Sequence, residues 1–115
     1  KGTHVANLKI AKAEQNAALL TFRQALLDAG AEVNNALAAL QTSRGKLLID
    51  GEQVSLLQEA VRKTELLMRH SSMNYLEVLT AQQTLLDAEQ AVAQDKFDEI
   101  QSIISLYHAL GGGVQ

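Results

Sequence analysis

No proline interrupts this chain, and along most of it an apolar residue recurs every three and four positions. Stepping from Leu26 gives Leu26, Ala29, Val33, Ala36, Leu40, Ser43, Leu47, Asp50, Val54, Leu57, Val61, Thr64 and Met68, and ten of these thirteen are apolar. A seam of period 3.5 held over six heptads keeps one helix face turned to a partner along a supercoil. The seam keeps its phase across Gly45 and Gly51, although a glycine inside a helix costs about 1 kcal/mol against alanine. The pattern therefore predicts one long helix over about residues 4–69. Asp50 stands on the seam, where it reads either as a buried polar device that specifies the pairing or, in preference, as a local opening toward solvent.

A second helix is predicted over about residues 74–110, and it carries two seams. One is Val78, Ala81, Leu85, Ala88 and Val92, resumed at Leu106 and Ala109 after a polar gap. The other is Leu79, Leu86, Ala93, Phe97, Ile100, Ile104 and Tyr107. The first helix also places leucines off its seam, at Leu20, Leu27, Leu37, Leu48, Leu56 and Leu66. Two apolar faces on one helix call for two or more neighbours. Alanine on the seams lets helices approach closely, as a wall of side-by-side helices requires.

Composition agrees. Alanine and leucine supply 17 and 19 of 115 residues, only four are Phe or Tyr, and Trp is absent, which argues against an all-β domain. The absence of Cys excludes a disulfide framework and a Cys zinc site. A net charge of −3 lacks the basic face that a nucleic-acid partner would need. The longest apolar run, residues 36–40, is far short of the ~18 residues of a membrane span. No basic start followed by an apolar stretch is present, so no signal peptide is expected. The segment before residue 74 holds nine basic and seven acidic residues, whereas the rest holds six acidic residues and Lys96. Their opposite balance favours mutual pairing by a modest, salt-screened amount.

Helix lengths set the architecture. At about 1.5 Å per residue the two segments would span about 99 Å and about 55 Å. Folded at residue 71 or 72, the chain brings residue 110 level with residue 33, so residues 4–33 have no partner in the hairpin. Their apolar side chains, among them Leu8, Leu19, Leu20, Phe22, Leu26 and Leu27, must then be covered by another chain or by more of this one. The expected fold is all-α, an asymmetric antiparallel coiled-coil hairpin. A bundle of three equal helices competes with it and needs a second turn within residues 43–51.

The sequence NYLEVLTAQQTLL at residues 74–86 is similar to the pattern (S/N)YL-x-VLDAQ-x-x-L of TolC-type outer-membrane efflux proteins. LYHALGGG at residues 106–113 closely resembles that family's terminal LY-x-ALGGG, and EVNNAL at residues 32–37 resembles its E-V-x-x-AL stretch. The resemblance covers essentially the whole chain. It implies one C-terminal hairpin of an α-helical periplasmic tunnel, a fragment of a trimeric outer-membrane channel whose barrel strands and first repeat lie outside it. The expected partners are copies of the chain, a periplasmic adaptor and an inner-membrane transporter, in a Gram-negative cell envelope. No cofactor is implied. Ser71 replaces the glycine usual in the family's tip turn, and Thr80 replaces the Asp of its DAQ triplet.

The turn, Arg69, His70, Ser71, Ser72, Met73 and Asn74, reads as a polar chain reversal and, by the resemblance, as an adaptor contact. Glu77, three residues after Asn74, completes a capping-box-like pair and suits a helix N-terminus. In a trimer, the same carboxylate would form a ring of three that constricts the tunnel mouth and favours cations. His4, His70 and His108 are too widely spaced along a hairpin to share a metal, and no HExxH or GxSxG motif supports catalysis. Two further readings remain. Arg44, Leu48 and Ser55 match the R-x3-L-x6-S tip spacing of pump adaptor hairpins, which would place the turn near Gly51. A cytoplasmic helical-bundle scaffold is also compatible with the composition.

Overall fold

A computed structural model describes residues 1–70 and 74–111. It contains two helices, α1 (Gly2–His70) and α2 (Tyr75–Ala109), and no strand among the described residues. The helix limits fall within two residues of those read from the apolar period. α1 is helical through Gly45 and Gly51, and neither has a positive φ. The second turn needed by a three-helix bundle is therefore absent. The same continuity removes the tip that an adaptor-type reading would place near Gly51, and it leaves Arg44 in mid-helix.

The chain divides into two units, Lys1–Asn35 and Ala36–Gln115. The first is helical from Gly2 onward, and every residue in it is exposed except Val33, which is half-buried. Its backbone needs no partner, because an α-helix pairs its own N–H and C=O groups. Its apolar side chains do: Leu20, Phe22 and Leu27 all stay more than 60% exposed.

The second unit is the hairpin. Arg44 Nε lies 3.3 Å from Glu99 Oε2, and Gln82 Nε2 donates to Glu65 Oε1 at 3.4 Å. Moving forward along α1 is thus moving backward along α2, which makes the pair antiparallel. The covered positions of α1 are Ala36, Leu40, Ser43, Leu47, Asp50, Val54, Leu57, Val61, Thr64 and Met68, joined by Gly51 and Glu65. Those of α2 are Val78, Ala81, Leu85, Ala88, Val92, Asp95, Glu99, Ser102, Leu106 and Ala109, joined by Asp98. Both sets step by three and four, so one seam meets the other. The ion pairs from α1 cations to α2 carboxylates match the expected charge asymmetry. The exposed Arg44 side chain limits that pair to about 0.2–1 kcal/mol.

The helix ends follow from local chemistry. Asn74 is the N-cap of α2, with extended backbone, and its Oδ1 accepts from Leu76 N–H at 3.1 Å. That is the second helical residue rather than the third. The Glu77 N–H bonds instead to the Asn74 carbonyl at 3.0 Å, which tightens the first turn. At the other end, Gly111 takes φ 87° and donates to the His108 carbonyl at 2.9 Å, beside Leu110 N–H to Leu106 O at 2.9 Å. A left-handed residue at this point ends many helices, and glycine adopts it without a Cβ clash. Among the described residues no helix is long and apolar enough to cross a membrane.

Three substitutions test this account by thermal or urea unfolding of the chain followed by circular dichroism. Asn74→Ala is expected to cost about 1 kcal/mol through the lost cap. Gly111→Ala is expected to cost about 1 kcal/mol, because alanine resists the left-handed conformation. Gly45→Ala should stabilise by up to about 1 kcal/mol, since an added Cβ meets nothing within 4 Å there.

Candidate functional site

The hairpin turn joins a basic helix end to an acidic helix start. Arg69 and His70 occupy the last turn of α1, where the helix dipole favours cations, and Glu77 the first turn of α2, where it favours an anion. Arg69, His70, Asn74 and Glu77 are all exposed. Ser71, Ser72 and Met73 lie outside the described residues, and with them the glycine-to-serine replacement in the turn. Val78, next to Glu77, is only 2% exposed and is the most buried apolar side chain of the hairpin. It fixes the rotation of α2 at its start, which turns Glu77 away from the seam.

Further along the hairpin the seam becomes polar. Asp95 is also only 2% exposed, although aspartate is rarely buried without a partner. Lys46 Nζ approaches its Oδ1 at 3.7 Å, an ion pair longer than a hydrogen bond. Its Oδ2 has no hydrogen-bond partner, and neither has the buried Ser43 Oγ. From α1, half-buried Asp50 stands on the facing seam one turn beyond Lys46. Hydrogen bonding with Asp50 raises the Asp95 pKa above the ordinary value, and burial and the Asp50 charge add to the rise. Lys46 acts against it, while Asp98 reinforces it. Thr64, the other polar seam residue of α1, avoids the problem by donating to the Ala60 carbonyl at 2.7 Å. Away from the seam, Arg62 pairs with Glu59 on the outer face of α1. The hydrogen bond from Arg62 holds the Glu59 carboxyl below its ordinary value.

In sequence this layer reads as a polar gap on α2 and, at Asp50 of α1, as an opening or a buried polar device, with Asp95 not singled out. The signal was nonetheless present. Stepping on from Val92 by three and four reaches Asp95, Glu99 and Ser102 before Leu106, all in phase. Polar identity concealed positions that periodicity marks as inward.

The second apolar stripe of α2 is uncovered. Leu79, Leu86, Phe97, Ile100, Ile104 and Tyr107 are all exposed. A shallow groove lined by Gly51, Val54, Glu89, Val92, Ala93 and Lys96 opens beside the seam, and nothing lies within 4 Å of where a Gly51 Cβ would stand. Among the described residues no group of three or more His, Asp or Glu is placed to hold a metal ion. The described residues of the hairpin thus offer exposed surfaces and a polar seam.

Residues 1–112 match the outer membrane efflux protein family. The cation efflux system protein CusC of Escherichia coli is 33% identical over 114 residues, 99% of this chain and 25% of that protein. The solvent efflux pump outer membrane protein SrpC of Pseudomonas putida is 32% identical over 108 residues, 94% of this chain and 23% of that protein. The antibiotic efflux pump outer membrane protein ArpC of Pseudomonas putida is 30% identical over 112 residues, 97% of this chain and 23% of that protein. The chain spans about a quarter of the length of these curated relatives. No solved structure gives a significant match. A two-helix hairpin matched over residues 1–112 belongs to the outer membrane efflux protein family.

Proposed function

We propose that this chain is the C-terminal periplasmic hairpin of a trimeric outer-membrane efflux channel, one segment of a larger protein. The observation that carries this reading is the uncovered apolar surface in a chain of this family. The hairpin seam covers one face of each helix. The outer stripe of α2 and the apolar side chains of residues 1–35 stay exposed. Exposed apolar area on this scale marks an interaction surface. The relatives are about four times longer, which leaves ample chain to supply neighbouring helices and a membrane-embedded barrel. The mechanism is structural: copies of the hairpin, with the remaining chain, wall a conduit across the periplasm. No catalytic residue, metal or cofactor takes part.

The turn at Arg69, His70, Ser71, Ser72, Met73 and Asn74 is the surface offered to a periplasmic adaptor, which couples the channel to an inner-membrane transporter. Exposed Arg69 supplies positive charge at that end. Glu77 from each of three copies rings the tunnel mouth and favours cations there. Cargo is a separate matter. The relatives' names refer to cations, solvents and antibiotics at 33%, 32% and 30% identity, so similarity over this segment does not select among them.

Sedimentation of the chain alone tests the exposed surface. Self-association at micromolar concentration is the expected result, and a compact monomer would contradict the reading. In the full-length channel, Arg69→Glu should abolish co-purification with the adaptor while leaving the helical content unchanged. Glu77→Gln should lower cation selectivity in planar bilayers; unaltered selectivity removes Glu77 from the pore.

A further inference from the structure

Asp95 is buried and Asp50 half-buried on facing seams, and Lys46 meets Asp95 at ion-pair rather than hydrogen-bond distance. Four facts of geometry converge on them. Asp95 lies on the seam of α2 and is 2% exposed. Its Oδ2 has no donor. Lys46, the only cation among the groups acting on it, stands at 3.7 Å, too far to donate a hydrogen bond. The residue that follows Lys46 by one turn on the facing seam is Asp50, itself half-buried. Two ionised carboxylates have no proton to place between them and repel each other. A protonated one donates to the other and removes both the orphan oxygen and the repulsion.

We propose that Asp95 and Asp50 form a proton-operated clamp across the hairpin, closed when Asp95 carries a proton and donates it to the Asp50 carboxylate, and loosened when both are ionised. Only the proton is exchanged with solvent; no other bond is made or broken. The groups facing Asp95 are Lys46 and Asp50 from α1 and Asp98 from its own helix. The two aspartates favour the closed form by opposing a further negative charge, while Lys46 limits the effect.

The sign follows from linkage. Asp95 has its pKa raised above the ordinary 3.8 in the folded chain. Its contribution to stability is therefore complete below the ordinary value and is lost as pH rises through the raised one. The seam tightens as pH falls toward the ordinary aspartate value and loosens as pH rises past the raised one. Glu59, held low by Arg62, acts in the opposite sense on the outside of α1, so the test rests on a difference between variants.

The experiment compares thermal unfolding of the 115-residue chain and its Asp95→Asn variant across mildly acidic to neutral pH, at one protein concentration. Asparagine donates to Asp50 at every pH. The variant should melt a few degrees above the parent at neutral pH, and the gap should close in acid as the parent takes up its proton. A gap independent of pH, or a variant less stable at neutral pH, overturns the proposal. Carbon-13 NMR titration of the parent's aspartate carboxyl groups supplies the second readout, and it does not depend on the variant folding. The Asp95 carboxyl should titrate above the ordinary aspartate range. A midpoint within or below that range overturns the clamp.

Discussion

Everything in this chain depends on one constraint: two helices of unequal length share a seam with the period of a coiled coil. The seam decides which residues are covered, from Ala36 to Met68 on α1 and from Val78 to Ala109 on α2. It also sets the register, since Arg44 meets Glu99 and Glu65 meets Gln82 only in this alignment. A seam of this kind is thin. Among the described residues its buried apolar members are Ala36, Leu40, Val61 and Val78. Fully burying a leucine or valine contributes about 1.5–3 kcal/mol, and the half-buried seam residues on either side add to these few.

The polar layer gains meaning against that thin core. Replacing apolar seam residues by Ser43, Asp50, Asp95, Glu99 and Ser102 gives up burial energy, yet it makes the alignment selective. Sliding α2 by one heptad would set Asp95 against Ser43 or Leu57, where no carboxyl waits. Polar groups at seam positions are an established way to fix register at a cost in stability. Here the device also carries a proton-dependent part, because its central pair consists of two acids rather than an acid and a base. The ion pairs at Arg44 and Lys46 lie at the rim, where water screens them, and they guide pairing more than they hold it.

Much of the fold was legible from the chain itself. The limits of α1 follow from an unbroken period with no proline. The limits of α2 follow from Asn74, a cap residue before an apolar-periodic run, and from the glycines after Leu110. The preference for one long helix over three short ones rested on seam phase across Gly45 and Gly51, and the helix does continue there. The turn was legible only as a polar reversal. The capping hydrogen bond goes to Leu76 rather than to Glu77, a choice made by backbone angles that residue types do not specify.

The sequence by itself determined the helical class, the two elements, the seam and the family, because a repeating period and absent breakers act locally and add up along the chain. It also marked surfaces that one hairpin cannot cover. What only the tertiary structure decided is which groups meet at the inward polar positions. Asp95 reads in sequence as one of several acids in a solvated run. It becomes a buried carboxyl with one oxygen left without a hydrogen bond only when α1 lies across it and brings Asp50 and Lys46 alongside. Burial and opposing charge belong to the pairing of two helices, so no inspection of either helix alone could reveal them.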